Sequence, residues 1–135
     1  MEADFLILAD SVQVQGDKLY MLGGGWSFVW ARDLPAVHPM GIAAGVLVDW
    51  METHMKHQFR LEIRNEDLGQ SIWKAEGEFE QGRLPGMSNG MRQRVLVAFN
   101  LPLPLQEAGD YLAELLINGT VLKRESFKVA LQKQA

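Results

Sequence analysis

The chain contains no cysteine among its 135 residues. That removes disulfide frameworks, thiol nucleophiles and cysteine metal sites together. Basic residues are also scarce, 13 Lys and Arg against 17 Asp and Glu, for a formal net charge of −4. A nucleic-acid binder needs a basic stripe, and electrostatic attachment to anionic lipid needs a basic cluster, so neither partner is expected. Long hydrophobic runs are absent too. The longest, Met40 to Val48, is far too short to span a bilayer as a helix. The acidic opening Met1-Glu2-Ala3-Asp4 lacks the basic region of a secretory signal, so a cytoplasmic location is expected.

What is present is apolar and β-patterned. Apolar residues make up 47% of the chain, enough for a core, and the length suits one domain covering residues 1–135. The dominant period is two. In "HQFRLEIR", His57, Phe59, Leu61 and Ile63 alternate with Gln58, Arg60, Glu62 and Arg64. "WKAEGEFE" repeats the alternation, and the polar "NEDLGQ" between them predicts a hairpin. "FLILA", "GIAAGVLV" and "VLVAF" are apolar on both faces, as strands inside a sheet or under a cover are. A buried helix is the alternative for "GIAAGVLV", but its glycines and valines favour a strand.

In "GDYLAELLINGTVLKRESFKV", Asn118-Gly119 predicts a tight hairpin with Glu114 opposite Lys123 and Leu116 opposite Val121. That register leaves Phe127 and Val129 on the wrong face, which predicts a bulge between Lys123 and Ser126. "NLPLPLQEAG" reads as a proline-bearing crossover, and Gly82–Arg92 as a long loop. The sum is an all-β, antiparallel, two-sheet, immunoglobulin-like sandwich of about eight or nine strands. Its core is expected to hold Phe5, Ile7, Val46, Val48, Phe59, Leu61, Ile63, Phe79, Val97, Phe99, Tyr111, Leu115 and Val129.

Gly23-Gly24-Gly25 suggests a phosphate loop, but no lysine and no helix follow, so a bend is the better reading. Trp26, Phe28 and Trp30 fall on one face if the segment is a strand. Aromatics of this kind serve a core, a subunit interface or a ligand platform. Trp30 is the one expected outside, since Arg32-Asp33 follows it. His54, His57 and His38 do not have the convergent spacing of a metal site, and no metal or cofactor is expected. Asp10, Asp49, Glu52 and Glu66 offer no spacing that selects a catalytic carboxylate pair, and no serine sits in a nucleophile elbow.

"MEADFLILADSVQ", "DKLYMLGGGW", "LPAVHPMGIA" and "HQFRLEI" together resemble a family of short bacterial proteins of unknown function, which open with a MEADFLLLAD-type segment and carry a GGGW element. The resemblance implies a small cytosolic β protein and assigns no site residue. More weakly, Gly109-Asp110-Tyr111 before a hairpin is similar to the corresponding corner of immunoglobulin-like domains.

Two functions are weighed. One is a non-enzymatic interaction module that self-associates, with Ala43, Gly45 and Leu47 as the second apolar face in need of cover. The other is a small-molecule site, carbohydrate among the ligands, built from Trp30, His38, His54 and Trp26 with Gly82–Arg92 as a lid.

Overall fold

The computed structural model describes residues 1–132. Ten strands follow one another: β1 Glu2–Ala9, β2 Ser11–Gln15, β3 Lys18–Leu22, β4 Phe28–Ala31, β5 Ala36–Asp49, β6 Lys56–Asn65, β7 Gln70–Glu80, β8 Arg92–Leu105, β9 Gly109–Ile117 and β10 Thr120–Leu131. One short 3-10 turn, Trp50–Glu52, separates β5 from β6. The fold is therefore nearly all β, with ten strands instead of eight or nine. Three sheets form: β1-β5-β8, β4-β10-β9-β6-β7, and the hairpin β2-β3. Pairing is antiparallel except for β4, which lies parallel to β10.

The inner faces of the two larger sheets share one core. Leu6, Leu8, Ile42, Val46, Val48, Leu101 and Leu103 come from the three-stranded sheet, and Leu61, Ile63, Tyr111, Leu115, Phe127 and Val129 from the five-stranded one. Val46, Val48, Leu61, Ile63, Tyr111, Leu115 and Val129 are buried, as their patterns require. Phe59, Phe79, Val97 and Phe99 are half-buried at its margin. Phe5 and Ile7 depart from expectation. Leu6 and Leu8 take the inner face of β1, and Phe5 packs in a second cluster with Ala9, Val12 and Ala43. A strand apolar on both faces gives no signal of which face is inner.

The second apolar face of β5 is covered from within the chain. The β2-β3 hairpin closes over Ala43, which is fully buried. Gly45 lies under the Phe5 ring, where a Cβ would come within 2.4 Å of Phe5 Cε1. Leu47 is half-buried at the far end of the strand. The side chain of Asn100 fastens the hairpin. Its Oδ1 accepts from Val12 N–H at 2.9 Å, and its Nδ2 donates to Val12 O at 2.8 Å, as a neighbouring strand does. Asn100→Ala is expected to cost about 1 kcal/mol. Amide exchange of β2 and β3 should accelerate more than that of β9, since local opening precedes global unfolding.

The hairpin β9-β10 carries its irregularity earlier than predicted. The register shifts between Val121 and Lys123, and the ladder from Lys123 through Ser126 is unbroken. Leu116 faces Val121 as expected, but Glu114 faces Arg124 instead of Lys123. The extra residue, Leu122, performs the change of face that buries Phe127 and Val129. Two strands also run longer than their prolines suggest. β5 includes Pro39 and β8 includes Pro102 and Pro104. β8 is an edge strand, and β5 loses its β1 neighbour beyond Gly41, so no ladder donor is missing on the second side.

Candidate interaction edge at strand β4

The three glycines join β3 to β4 as a bend. Gly23 and Gly25 have positive φ of 61° and 91°, which side chains with a Cβ rarely adopt. Gly25 N–H bonds Leu8 O at 2.8 Å, and no helix N-terminus follows, so the segment has no phosphate cradle. The strand starts only at Phe28. Trp26 therefore escapes the alternation expected of it and packs inward while Phe28 and Trp30 point out. Trp26 meets His38 edge-on at 5.8 Å and Phe127 edge-on at 5.8 Å. Val29 and Ala31, between the outward aromatics, are buried.

Trp30 is 63% exposed and Phe28 is 41% exposed. Their rings lie 4.6 Å apart, tilted by 31°, as one continuous aromatic surface. Val37 and Leu131 are exposed beside them, and Trp30, Ala130, Leu131 and Gln132 rim one open cavity. A second cavity of about 430 Å³ lies between β4 and the start of β5, lined by Trp30, Arg32, Asp33, Pro35, His38 and Leu105. Burial lowers the pKa of His38 below its ordinary value, with partial compensation from the charge of Asp10. Burial of His38 thereby favours the neutral imidazole over the charged form.

Trp26, Trp30 and His38 thus gather around the β4-β5 connection. His54 does not join them. It sits in the turn after Trp50–Glu52, with its N–H on Gln81 O, at the other end of the 14-residue β5. Gly82–Arg92 lies at that same far end. Arg83 pins it there, donating to Thr53 Oγ1 at 2.7 Å and Trp50 O at 3.1 Å, with its guanidinium 3.4 Å from the Trp50 ring centre. The loop is no lid over Trp30. His57 is placed by the core. Its Nε2 donates to Glu52 O at 2.7 Å and its Nδ1 accepts from Asn118 Nδ2 at 3.0 Å, so both ring nitrogens are engaged.

The sheet also assembles a charge row that sequence spacing does not reveal. Glu62 on β6 faces Glu114 on β9 across the ladder. Arg60 and Arg64 each bond one oxygen of Glu62. Arg64 Nε approaches Glu114 at 3.0 Å, an ionic contact lying off the hydrogen-bond direction, and Arg124 bonds Glu114 at 2.9 Å. Burial alone would push the Glu62 carboxyl up, but the bonds and charges of Arg60, then Arg64, outweigh it and hold it below the usual range. With both oxygens bonded, Glu62 is a structural anion, not a poised acid.

The profile of a family of unknown function, DUF6941, matches residues 4–130. The chain belongs to that family. No curated protein matches it. Among solved structures, this DUF6941 chain is similar to the Pseudomonas fluorescens alkylpurine DNA glycosylase AlkC bound to DNA containing an abasic site analog. Identity is 11% and the TM-score is 0.42 over 92% of this chain, which spans only 30% of the glycosylase chain. A likeness of that degree transfers no activity to the DUF6941 chain. Among its described residues no helix is long and apolar enough to cross a membrane.

Proposed function

We propose that this chain is a non-enzymatic interaction module that self-associates through the outer edge of β4. One observation carries the reading: the two edges of the five-stranded sheet are finished differently. β7 carries Glu76, Glu78 and Glu80 on its solvent side, the charged guard that keeps an edge from pairing. β4 carries no charge, and Phe28 and Trp30 stand exposed on it. The contact surface is this edge and not Ala43 and Gly45, whose cover is internal. Equilibrium sedimentation over a concentration series tests it. The expected result is a mass above the 15.2 kDa of one chain, returning to that value in Trp30→Arg. A mass of one chain at every concentration overturns the proposal.

The second reading, a small-molecule site with carbohydrate among its ligands, draws on the cavity beside Trp30, Arg32, Asp33 and His38. Tryptophan fluorescence titrated with a panel of saccharides tests it. Saturable quenching that disappears in Trp30→Ala supports it, and an unchanged spectrum removes it.

An immunoglobulin-like sandwich is the fold we propose with this function. The order β1-β5-β8 against β4-β10-β9-β6-β7, with the parallel β4-β10 pair, supports it. So does Tyr111 at the start of β9, whose hydroxyl donates back to Glu107 O. The β2-β3 hairpin is then an insertion. The lack of cysteine supports a cytoplasmic setting.

A further inference from the structure

We propose that two copies of this chain pair β4 with β4 in antiparallel fashion about a two-fold axis at Val29, joining their five-stranded sheets into one ten-stranded sheet. The inference rests on the self-association proposed above and specifies its geometry. The first argument is which backbone groups are free. Lys128 N–H bonds Ser27 O, and Gln132 N–H bonds Ala31 O. Successive residues of a strand turn their backbone groups to opposite sides, so Ser27, Val29 and Ala31 serve β10. The N–H and C=O groups of Phe28 and Trp30 face the other side, where no strand pairs with them among the described residues.

The second argument is register. A two-fold pairing must set outward residues opposite outward residues, because directly opposed residues share a face of the sheet. Centring on Val29 sets Phe28 against Trp30 of the second copy, and Trp30 against its Phe28. Those are the residues with free backbone groups, so four hydrogen bonds close two exchanging pairs. Each pair also stacks one aromatic on another, a favoured cross-strand combination. No charge lies within Phe28–Ala31 to repel its own image, whereas a β7 edge would oppose Glu76, Glu78 and Glu80 to their own copies.

The third argument is exposure. Phe28 and Trp30 are 41% and 63% exposed on one face of β4, so pairing with a second copy takes aromatic surface out of water. The exposed Arg32, Asp33, Lys128 and Gln132 around that patch supply the polar rim.

Spin labels on single cysteines test the geometry, since the chain contributes no cysteine of its own. Ser126→Cys is on the outer face of β10 and Glu78→Cys on β7, both exposed. With strands about 4.8 Å apart, the β4 pairing predicts a Ser126 separation of roughly 20–30 Å and a Glu78 separation of about 40 Å or more. Trp30→Arg, checked for its fold by circular dichroism, is expected to weaken association at least tenfold. Any other pair of distances in a particle that dimerises overturns the β4 pairing while leaving self-association standing. A particle of one chain at all concentrations overturns both.

Discussion

Tyr111→Ala is expected to destabilise the fold by about 3–5 kcal/mol, the cost of truncating a buried aromatic. Tyr111 is 1% exposed and among the largest fully buried side chains. Its ring stacks on Phe127 at 5.3 Å, and Phe127 in turn meets Trp26. Removing it opens a cavity at the point where β9, β10 and the segment before β4 converge. Its hydroxyl donates to Glu107 O, which tethers the β8-β9 corner to the core. Burial pushes the phenol's pKa above its ordinary value, so it stays a donor. Tyr111→Phe keeps the ring and loses only that bond, and about 1 kcal/mol is expected. Urea denaturation of the two variants separates packing from hydrogen bonding. Equal losses would show that the corner bond, not the aromatic stack, dominates.

Glu62→Gln is expected to cost about 2 kcal/mol at neutral pH, through charge-assisted hydrogen bonds to two arginines. The full value for a buried ion pair does not apply, since Arg60 and Arg64 are 40% and 37% exposed and can turn to water. The pH dependence follows from the direction of the shift. The carboxyl is held below its ordinary value of 4.5 in the folded chain, so its ionised form stabilises the fold above that pH. The contribution is lost as pH falls through the folded-state value. The wild type should therefore lose stability on acidification, and Glu62→Gln should lose less. The gap between them is expected to be widest near pH 7 and to narrow below about pH 4. Parallel acid limbs in urea midpoints measured across that range would remove Glu62 from the acid response.

Several strands were legible because one face was polar. β6 and β7 alternate cleanly, and their hairpin formed as their pattern requires. The Asn118-Gly119 turn is equally local, with positive φ at both residues. The bulge in β10 was legible in kind but not in position. A change of face is visible in the side chains, whereas any residue ahead of it can absorb the extra step.

The candidate site divided along the same line. Trp30 outside followed from the Arg32-Asp33 after it, but Trp26 turning in to meet His38 did not, because the strand starts only at Phe28. Phe28 as the partner of Trp30, and Leu131 and Val37 as their rim, did not follow either, because Leu131 lies about a hundred residues away and reaches Trp30 only through the parallel β4-β10 pairing. The Glu62-Glu114 row was hidden for the same reason. Its two carboxylates are neighbours across strands, not along the chain.

By itself the sequence determined the β class, the lack of thiols and the inner faces of β6 and β7, whose outer positions are polar. These depend on composition and on a period of two, both properties of adjacent residues. The tertiary structure alone decided which apolar face is covered from within and which edge stays open. "GIAAGVLV" looked like the surface in need of a partner, and the β2-β3 hairpin covers it instead. One uncharged edge is β4, four residues long, with β10 on one side and, among the described residues, no strand on the other. Coverage is a relation between distant segments, and no local pattern encodes it.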